Sequence, residues 1–304
     1  MKKRINYLII LVPFFMGLVF GSLFDLPINQ ALYSDPTKNV FGLIFSAFMP
    51  LFAYAFMSFV GGYLLKAGLK EEKILFKVIY FVLALACLGL SVYFTADKFP
   101  SPNAFNSDKW TIPGYIIGLV VEGGVFALGF LIATKKGINK QFVFGTIILL
   151  IAITIALVPV SQVLKNIMRR PRYRTLVSGS TFYLAEAEFK NWWEPFTKFA
   201  DLEAIHGHDA ISEHFKSFPS GHTAEAMIVP FALVYISKLF PGQEKKETLF
   251  LSIGMIFTLL MAFSRMTMGA HYLSDVSMGG LTCAICLIAG NEFNLRFTYK
   301  KLSE

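Results

Sequence analysis

Charged side chains are scarce in this sequence. Only 16% of its 304 residues are Asp, Glu, Lys or Arg, against about 25% in an ordinary soluble domain. Hydrophobic residues make up 55% of the chain, and Phe alone occurs 32 times. A soluble fold of this length cannot bury so much apolar surface, and a disordered chain has the opposite composition. The composition therefore predicts an all-α fold, a polytopic bundle of membrane helices.

Cysteine is also rare. Cys87, Cys283 and Cys286 all lie in apolar segments, so the sequence predicts no disulfide framework. The spacing of Cys283 and Cys286 occurs in redox and metal sites, but no second ligand pair accompanies it. We therefore interpret both residues as small side chains of the core.

Apolar segments of about 20 residues are long enough to cross a membrane as helices. The sequence predicts about eight. They are Ile5–Phe24, Val40–Leu65, Ile74–Ala96, Pro113–Thr134, Phe142–Leu164, Thr223–Leu239, Leu249–Met266 and Val276–Ala289. The first follows basic residues, as a signal peptide does, but its apolar run is too long for one and no small-residue cleavage site follows. We predict that it is retained.

Basic residues are concentrated at both termini and in every even-numbered connection. The positive-inside rule then predicts a multi-pass protein of the plasma (inner) membrane with both termini cytoplasmic. The formal charge of +8 follows this topology and does not indicate a nucleic-acid partner. One extracytoplasmic connection, Lys165 to Phe218, breaks the pattern. It begins with the basic residues Lys165, Arg169, Arg170, Arg172 and Arg174.

The first candidate motif is in this basic cluster. Lys165 and Arg172 are seven positions apart, about two helical turns, so both cations face the same way unless Pro171 bends the chain. A basic chain produces this spacing by chance, and a cluster that only touches lipid headgroups is the alternative.

The second candidate motif, Pro219-Ser220-Gly221-His222, directly precedes an apolar segment. Gly allows close approach of a ligand to the backbone, and N–H groups at a helix start favour an anion. Ser220 adds a hydroxyl donor, and His222 can exchange a proton near neutral pH. The alternative is a helix cap beside a chance histidine.

The third candidate motif runs from Ser264-Arg265 to His271 and Asp275. His271 and Asp275 are four residues apart, so their side chains meet on a helix. A carboxylate bonded to one ring nitrogen leaves the other basic, and Arg265 supplies a fork for an oxyanion. Cations, N–H donors, a nucleophile and an acid are together what phosphoryl transfer needs.

In this order, K-x6-R, PSGH and SR-x5-H-x3-D resemble the signature motifs of the type 2 phosphatidic acid phosphatase (lipid phosphate phosphatase) family. Its soluble relatives are bacterial acid phosphatases and vanadium haloperoxidases. Tyr173 stands where Pro usually follows the motif arginine. The resemblance implies a single domain over residues 1–304 with a six-helix membrane core. Residues 165–275 carry the motifs, residues 1–140 carry none, and two helices before the first motif are additional.

The resemblance also implies roles. His271 attacks phosphorus and forms a phosphohistidine, Asp275 holds and polarises His271, and His222 protonates the leaving oxygen and then activates water. The residues that hold the phosphate oxygens are Lys165, Arg172, Ser220, Gly221 and Arg265. No metal and no cofactor is implied, because the cations neutralise the developing charge. The implied substrate is a lipid phosphate or lipid diphosphate at the outer leaflet.

Two other functions remain open at this point: a phosphotransferase that passes the phosphoryl group to an alcohol, and a protein that only binds or transports lipid phosphates. Glu122, at lipid depth, is either functional or a hydrogen-bonded carboxyl between helices. Glu225, one turn after His222, is a residue that can tune it or pair with an arginine. Trp192 and Trp193 are interfacial anchors, a lid, or loop packing. A further set resembles no known zinc pattern and is interpreted as a solvated loop: His206, His208, Asp209, Glu213 and His214.

Overall fold

A computed structural model describes residues 2–98, 107–158 and 163–303, and these ranges contain helices and irregular segments but no strand. The first five helices are α1 (Lys2–Leu32), α2 (Val40–Lys70), α3 (Ile74–Lys98), α4 (Ser107–Lys136) and α5 (Lys140–Val158). Four short helices follow: α6 (Lys165–Met168), α7 (Tyr173–Leu176), α8 (Phe199–His206) and α9 (His208–Ile211). The last four are α10 (Gly221–Ala226), α11 (Ile228–Ser237), α12 (Glu247–Thr267) and α13 (Leu273–Ser303).

Within the described ranges, seven helices are long and apolar enough to cross a membrane: α1 to α5, α12 and α13. The all-α polytopic bundle predicted from composition is thus confirmed. The predicted fifth span extends to Leu164, but residues 159–162 lie outside the described residues.

The predicted span Thr223–Leu239 consists of two helices, α10 and α11, which meet at Met227. Pro230 explains the break, because it has no N–H to donate to the carbonyl of Ala226. That carbonyl accepts a hydrogen bond from the hydroxyl of Thr258 instead, at 3.0 Å.

The first and last helices are longer than the apolar runs that predict them. The final run ends at Ala289, whereas α13 continues to Ser303. Its polar residues have partners: Tyr235 donates to Asn291 at 3.2 Å, and Tyr7 donates to Glu292. Helix α1 likewise passes Phe24 and continues through two buried polar residues to Leu32. Hydropathy predicts an end where polar residues begin, but paired polar residues let a helix continue.

Helix α13 lies at the centre of the motif-bearing part of the bundle, in contact with α1, α5, α10 and α12. Helix α1 approaches it closely because Gly17 and Gly21 lack side chains; a Cβ at Gly21 would lie 2.5 Å from the amide nitrogen of Ser274. Small residues four apart are a common means of such close helix contact in membranes. Helices α3 and α4 pack mainly on α2 and on each other.

The three cysteines are free thiols. Cys283 is buried in the hydrophobic core and Cys286 packs against it, as predicted for small core residues.

The connection from α5 to α10 folds over one end of the bundle around a small hydrophobic core of its own. Its buried members are Phe196, Phe199, Leu202, Ile211 and Phe215. Trp192 holds this segment against helix α1, because its indole N–H donates to the hydroxyl of Ser22 at 2.8 Å. Its ring stacks on that of Phe218 within the same segment. Trp193 is half exposed. For Trp192, loop packing is therefore the alternative that the contacts favour.

Candidate active site

Backbone contacts bring the three sequence motifs together at one end of the bundle. The amide of Arg174, just after the first motif, donates to the carbonyl of Gly269 in the third motif at 2.9 Å. The amide of Ser220 in the second motif donates to the carbonyl of Asp275 in the third at 2.9 Å. Gly279 permits this approach, since a Cβ there would lie 2.2 Å from the carbonyl oxygen of Ser220.

Lys165 and Arg172 do not lie on one continuous helix. Helix α6 ends at Met168, and Arg169 adopts the left-handed conformation with φ of 44°. Pro171 prevents the helix from continuing to Arg172, because Arg170, the residue before the proline, is disfavoured in the α conformation. The two cations therefore share no helix face, which is the outcome expected if the chain bends at Pro171, yet both line the same cavity.

Tyr173, which replaces the usual proline, begins the short helix α7. Its ring packs edge-on against Tyr33 at 5.4 Å between centroids and against Tyr272 at 6.2 Å. The substitution is thus accommodated by an aromatic cluster that ties the first motif to the α1–α2 connection and to the third motif.

A cavity of about 450 Å³ opens where the motifs meet. Five of its lining residues are predicted site residues: Lys165, Arg172, Gly221, His222 and His271. The others are Asn166, His208, Glu213, Lys216 and Glu225. Lys165 and Gly221 are close neighbours, since a Cβ on Gly221 would lie 3.7 Å from Nζ of Lys165.

The ring of His271 is oriented by a backbone carbonyl. His271 precedes α13, and its Nδ1 lies 2.5 Å from the carbonyl oxygen of Ser217. A carbonyl can only accept, so Nδ1 carries the proton and Nε2 is the basic nitrogen of the neutral ring. Nδ1 lies 3.9 Å from Oδ2 of Asp275, which is beyond hydrogen-bond distance. The expected direct hydrogen bond to Asp275 is therefore replaced by one to Ser217.

The Asp275 carboxylate is fully buried and held by three donors. Oδ1 accepts from Nη1 of Arg170 at 2.5 Å. Oδ2 accepts from the hydroxyl of Ser217 at 2.5 Å and from the amide of Tyr272 at 2.9 Å. Because the carbonyl of Ser217 also accepts from the His271 ring, Ser217 connects Asp275 to that ring by two hydrogen bonds.

Three buried guanidinium groups near the site each have an N–H group that is not used in a hydrogen bond to any described residue. Within the described residues, Nε of Arg172, Nη1 of Arg174 and Nε of Arg265 have no hydrogen-bond acceptor. Arg172 makes an ion pair with Glu213 at 3.3 Å. The positive charges of Arg172 and Arg265 both repel that of Arg174. Buried N–H groups without partners are costly, so this arrangement is suited to an incoming anion.

The cations also set the protonation of nearby groups. Burial, with repulsion from Arg172, Lys165 and Arg265, holds the pKa of His271 well below 6.5. For Glu213, partial shielding of the carboxyl from water by the surrounding protein raises the pKa, but attraction to Arg172 and the hydrogen bond from Lys216 outweigh this effect and lower the pKa to about 2. At neutral pH the site therefore combines a neutral His271 with an ionised Glu213.

The second motif is capped locally. Ser220 is the N-cap of α10, and its oxygen accepts from the amide of Thr223 at 3.5 Å and from the Thr223 hydroxyl at 3.1 Å. The hydroxyl proton of Ser220 remains to donate elsewhere. His222 is partly buried on the cavity wall.

The polar residues of the connection from α5 to α10 have separate partners. His208 contacts Glu203 at 2.5 Å, His206 lies 3.9 Å from Glu186, and His214 contacts the hydroxyl of Thr175 at 3.3 Å. Burial and repulsion from Arg174 and Arg172 lower the pKa of His214. Asp209 is exposed. No set of three or more His, Cys, Asp or Glu residues within the described part of the chain is placed to hold a metal ion.

Glu122 is fully buried in α4 and accepts a hydrogen bond from the hydroxyl of Thr95 in α3 at 2.9 Å. This contact favours the interpretation of Glu122 as a hydrogen-bonded carboxyl between helices.

A sequence model of the PAP2 superfamily matches residues 143–298, slightly more than half of the chain. The chain belongs to the PAP2 superfamily. Members of this superfamily are generally phosphatases, and the protein is a membrane protein of that type with several membrane-spanning helices. The resemblance drawn from the three motifs is thereby confirmed. Comparisons with curated proteins and with solved structures give no significant match.

Sequence reasoning missed four residues that organise the site: Asp25, Arg170, Arg174 and Ser217. Arg170 and Arg174 were visible only as parts of a basic cluster. Asp25 gave one signal, a carboxylate directly after an apolar run. Ser217 gave none, since it acts on His271 through a backbone carbonyl.

Proposed function

We propose that this protein is an integral membrane phosphatase that hydrolyses a lipid phosphate or lipid diphosphate through a phosphohistidine intermediate. The observation that carries the proposal is the pairing of two features. One is His271, with Nδ1 engaged and Nε2 left as its basic nitrogen. The other is the set of buried arginine donors without acceptors among the described residues, two of which belong to Arg172 and Arg265, whose charges repel a proton on His271.

In the proposed reaction, Nε2 of His271 attacks phosphorus and the bond from phosphorus to the leaving oxygen breaks. His222 donates a proton to that oxygen. His222 then removes a proton from water, which attacks phosphorus, releases inorganic phosphate and restores His271. Lys165, Arg172 and Arg265, with the Ser220 hydroxyl and the Gly221 amide, bind the phosphoryl oxygens. They stabilise the charge that develops in the transition state.

Hydrolysis is favoured over simple binding because the histidines have no role in a binding site. A binding protein needs the cations, but it does not need a histidine whose tautomer is fixed and whose protonation is suppressed. The depressed pKa of His271 keeps it neutral, as a nucleophile must be.

The decisive experiment measures phosphate release by the purified protein from a panel of lipids in detergent. The panel contains phosphatidic acid, phosphatidylglycerol phosphate and a polyprenyl diphosphate. We expect turnover of at least one lipid, complete loss in His271→Ala, and normal turnover in the control His206→Ala, whose ring is half-buried in the connection from α5 to α10. No turnover of any lipid phosphate, or full activity in His271→Ala, would contradict the proposal. Adding a simple alcohol and analysing the products separates hydrolysis from transfer.

We further propose that the site faces the extracytoplasmic side, so that the substrate enters from the outer leaflet. The support is the basic character of both termini and of the even-numbered connections, which is typical of cytoplasmic segments. A cysteine at Ser178, exposed in the connection from α5 to α10, should react with a membrane-impermeant thiol reagent in intact cells. Labelling only after permeabilisation would contradict this topology, once a denatured control shows a reactive thiol.

A further inference from the structure

Helix α1 lies outside the three motifs and outside the region matched by the family model. One of its residues, Asp25, nevertheless contacts residues of the site on the side away from the cavity. Asp25 is almost fully buried. It follows a kink at Phe24, whose backbone is not helical. Pro27 accounts for the kink, because a proline within a helix disrupts the preceding turn.

Asp25 accepts hydrogen bonds from two parts of the site. Its Oδ2 accepts from Nη2 of Arg170 at 2.9 Å and from the hydroxyl of Ser274. Its Oδ1 accepts from the amide of Ser274 at 2.9 Å. Asp25 therefore contacts both the first motif segment and the start of α13, the helix that contains Asp275 of the third motif.

Arg170 connects Asp25 to Asp275, because its guanidinium donates to both carboxylates. Its Nη1 donates to Asp275 at 2.5 Å and to Ser274 at 2.9 Å, while its Nε donates to the carbonyl of Lys190 at 2.7 Å. The guanidinium also lies 4.1 Å above the ring of Tyr272. Because these acceptors engage its donors, the guanidinium of Arg170 is held in one orientation. Asp25 supplies one of the two carboxylates that fix this orientation.

From Asp275 the connection continues to the reactive ring. Asp275 accepts from the Ser217 hydroxyl at 2.5 Å, and the carbonyl of Ser217 accepts from Nδ1 of His271 at 2.5 Å. A second residue of α1 adds support, because Nδ2 of Asn29 donates to the carbonyl of His271 at 3.0 Å. Asn29 is one turn after Asp25, so both lie on the same face of α1.

We propose that Asp25 is a positioning residue for phosphoryl transfer, which acts through Arg170, Asp275 and Ser217 to fix the ring of His271. This inference rests on the proposed function. It assigns α1 to the catalytic apparatus, although the helix carries no signature motif. Asp25 does not touch the cavity, so it contributes to the rate through geometry and not through substrate binding.

The test compares Asp25→Asn, Asp275→Asn and the double variant with the wild-type protein. Asp25→Asn should lower kcat about 10- to 100-fold, as removal of a partner behind a directly acting group does, with KM changed less than about threefold. In the Asp275→Asn background the same substitution should change kcat less than about twofold, because the connection is already broken. Asn6→Ala is the matched control, because Asn6 is a buried polar residue of α1 that binds Thr248 at 2.9 Å, away from the site. It should leave kcat unchanged.

Failure of this inference is distinguishable from failure of the proposed function. Absent turnover in the wild-type protein contradicts the function, whereas wild-type kcat in Asp25→Asn contradicts the positioning role alone. Equal losses in both backgrounds overturn the proposed path through Asp275. Thermal unfolding of the four proteins provides a readout without turnover: the changes in Tm should be non-additive, and additive changes would overturn the linkage. A lower Tm with normal kcat makes Asp25 a structural residue only and also overturns the proposal.

Discussion

Arg170 and Arg172 are two residues apart in the chain and both are buried, but their surroundings are opposite. Arg170 lies between two buried carboxylates, those of Asp25 and Asp275, at 2.9 and 2.5 Å. Arg172 has one carboxylate partner, Glu213, which is 63% exposed and also binds Lys216. Within the described residues, an Nε donor of Arg172 has no acceptor.

The two arginines therefore belong to different regions: Arg170 to a buried framework with Asp25 and Asp275, and Arg172 to the wall of the cavity. In the framework, the positive charge of Arg170 is more than compensated by two carboxylates, which also fix the orientation of its guanidinium. Around the cavity, basic side chains outnumber acidic ones. One N–H group on each of Arg172, Arg174 and Arg265 has no hydrogen-bond acceptor among the described residues. A buried cation is costly without a counter-ion, so the excess of positive charge on the cavity side is suited to the anionic substrate proposed above.

The largest effect should follow from breaking the framework. Arg170→Met leaves the carboxylates of Asp25 and Asp275 buried without their cation. Loss of one member of a buried ionic group typically costs about 3–5 kcal/mol of unfolding free energy. We expect a clear drop in Tm in detergent, whereas Arg172→Met should leave Tm unchanged or raise it. Equal stability losses in the two variants would remove the distinction between the two regions.

The next effect should follow from removing cavity cations. Arg172→Gln and Arg265→Gln each delete a charged donor that the account places on the phosphoryl group. The expected loss is about 10²- to 10³-fold in kcat/KM, the range for a donor that stabilises transition-state charge. Steady-state phosphate release measures it, with Tm as the check on folding. Near-normal kcat/KM in both variants would show that these arginines do not contact the substrate.

A smaller effect is expected for Arg174, which the motifs do not include. Its guanidinium stacks on Phe182 at 4.2 Å and carries a donor without an acceptor. Arg174→Gln should raise KM about 10-fold, the value of one hydrogen bond to a charged group. Arg169→Gln is the matched control, because Arg169 also stacks on a ring, that of Phe199 at 3.7 Å. A similar change in both variants would assign Arg174 to loop packing.

The smallest effect is a shift in pH dependence. Since burial and neighbouring cations hold the pKa of His271 well below 6.5, the acid limb that His271 contributes to kcat/KM should also lie well below pH 6.5. Lys165→Gln removes one repelling charge, so the pKa should rise and the limb should move to higher pH. Comparing both proteins on one substrate cancels ionisation of the substrate. A limb that stays in place or moves to lower pH would contradict this assignment.

Much of the fold was predictable because lipid exposure dictates composition. Apolar runs predicted the seven long spans, and basic residues marked alternate connections. Helix ends were less predictable, since Asp25 and Asn291 are polar but paired within the bundle. The break at Met227 was encoded by Pro230, but the replacement partner, Thr258, lies in another helix.

For the site, spacing identified five residues that line the cavity: Lys165, Arg172, Gly221, His222 and His271. Ser220, Arg265 and Asp275, which spacing also identified, are not among the lining residues, and spacing did not identify Asp25 or Ser217, which support the site. The predicted local geometry of the lining residues was less accurate: Lys165 and Arg172 share no helix, and His271 bonds to a carbonyl instead of a carboxylate. These differences arise from long-range contacts, which short sequence patterns do not contain.

Trapping the covalent intermediate would show whether His271 is the nucleophile. The wild-type protein is mixed with a ³²P-labelled lipid phosphate and quenched in alkali within milliseconds, and the protein is digested and mapped by mass spectrometry. We expect a label on the peptide that contains His271, stable to alkali and labile to acid, and no label in His271→Ala. Turnover without any labelled protein, or label on another residue, would contradict it.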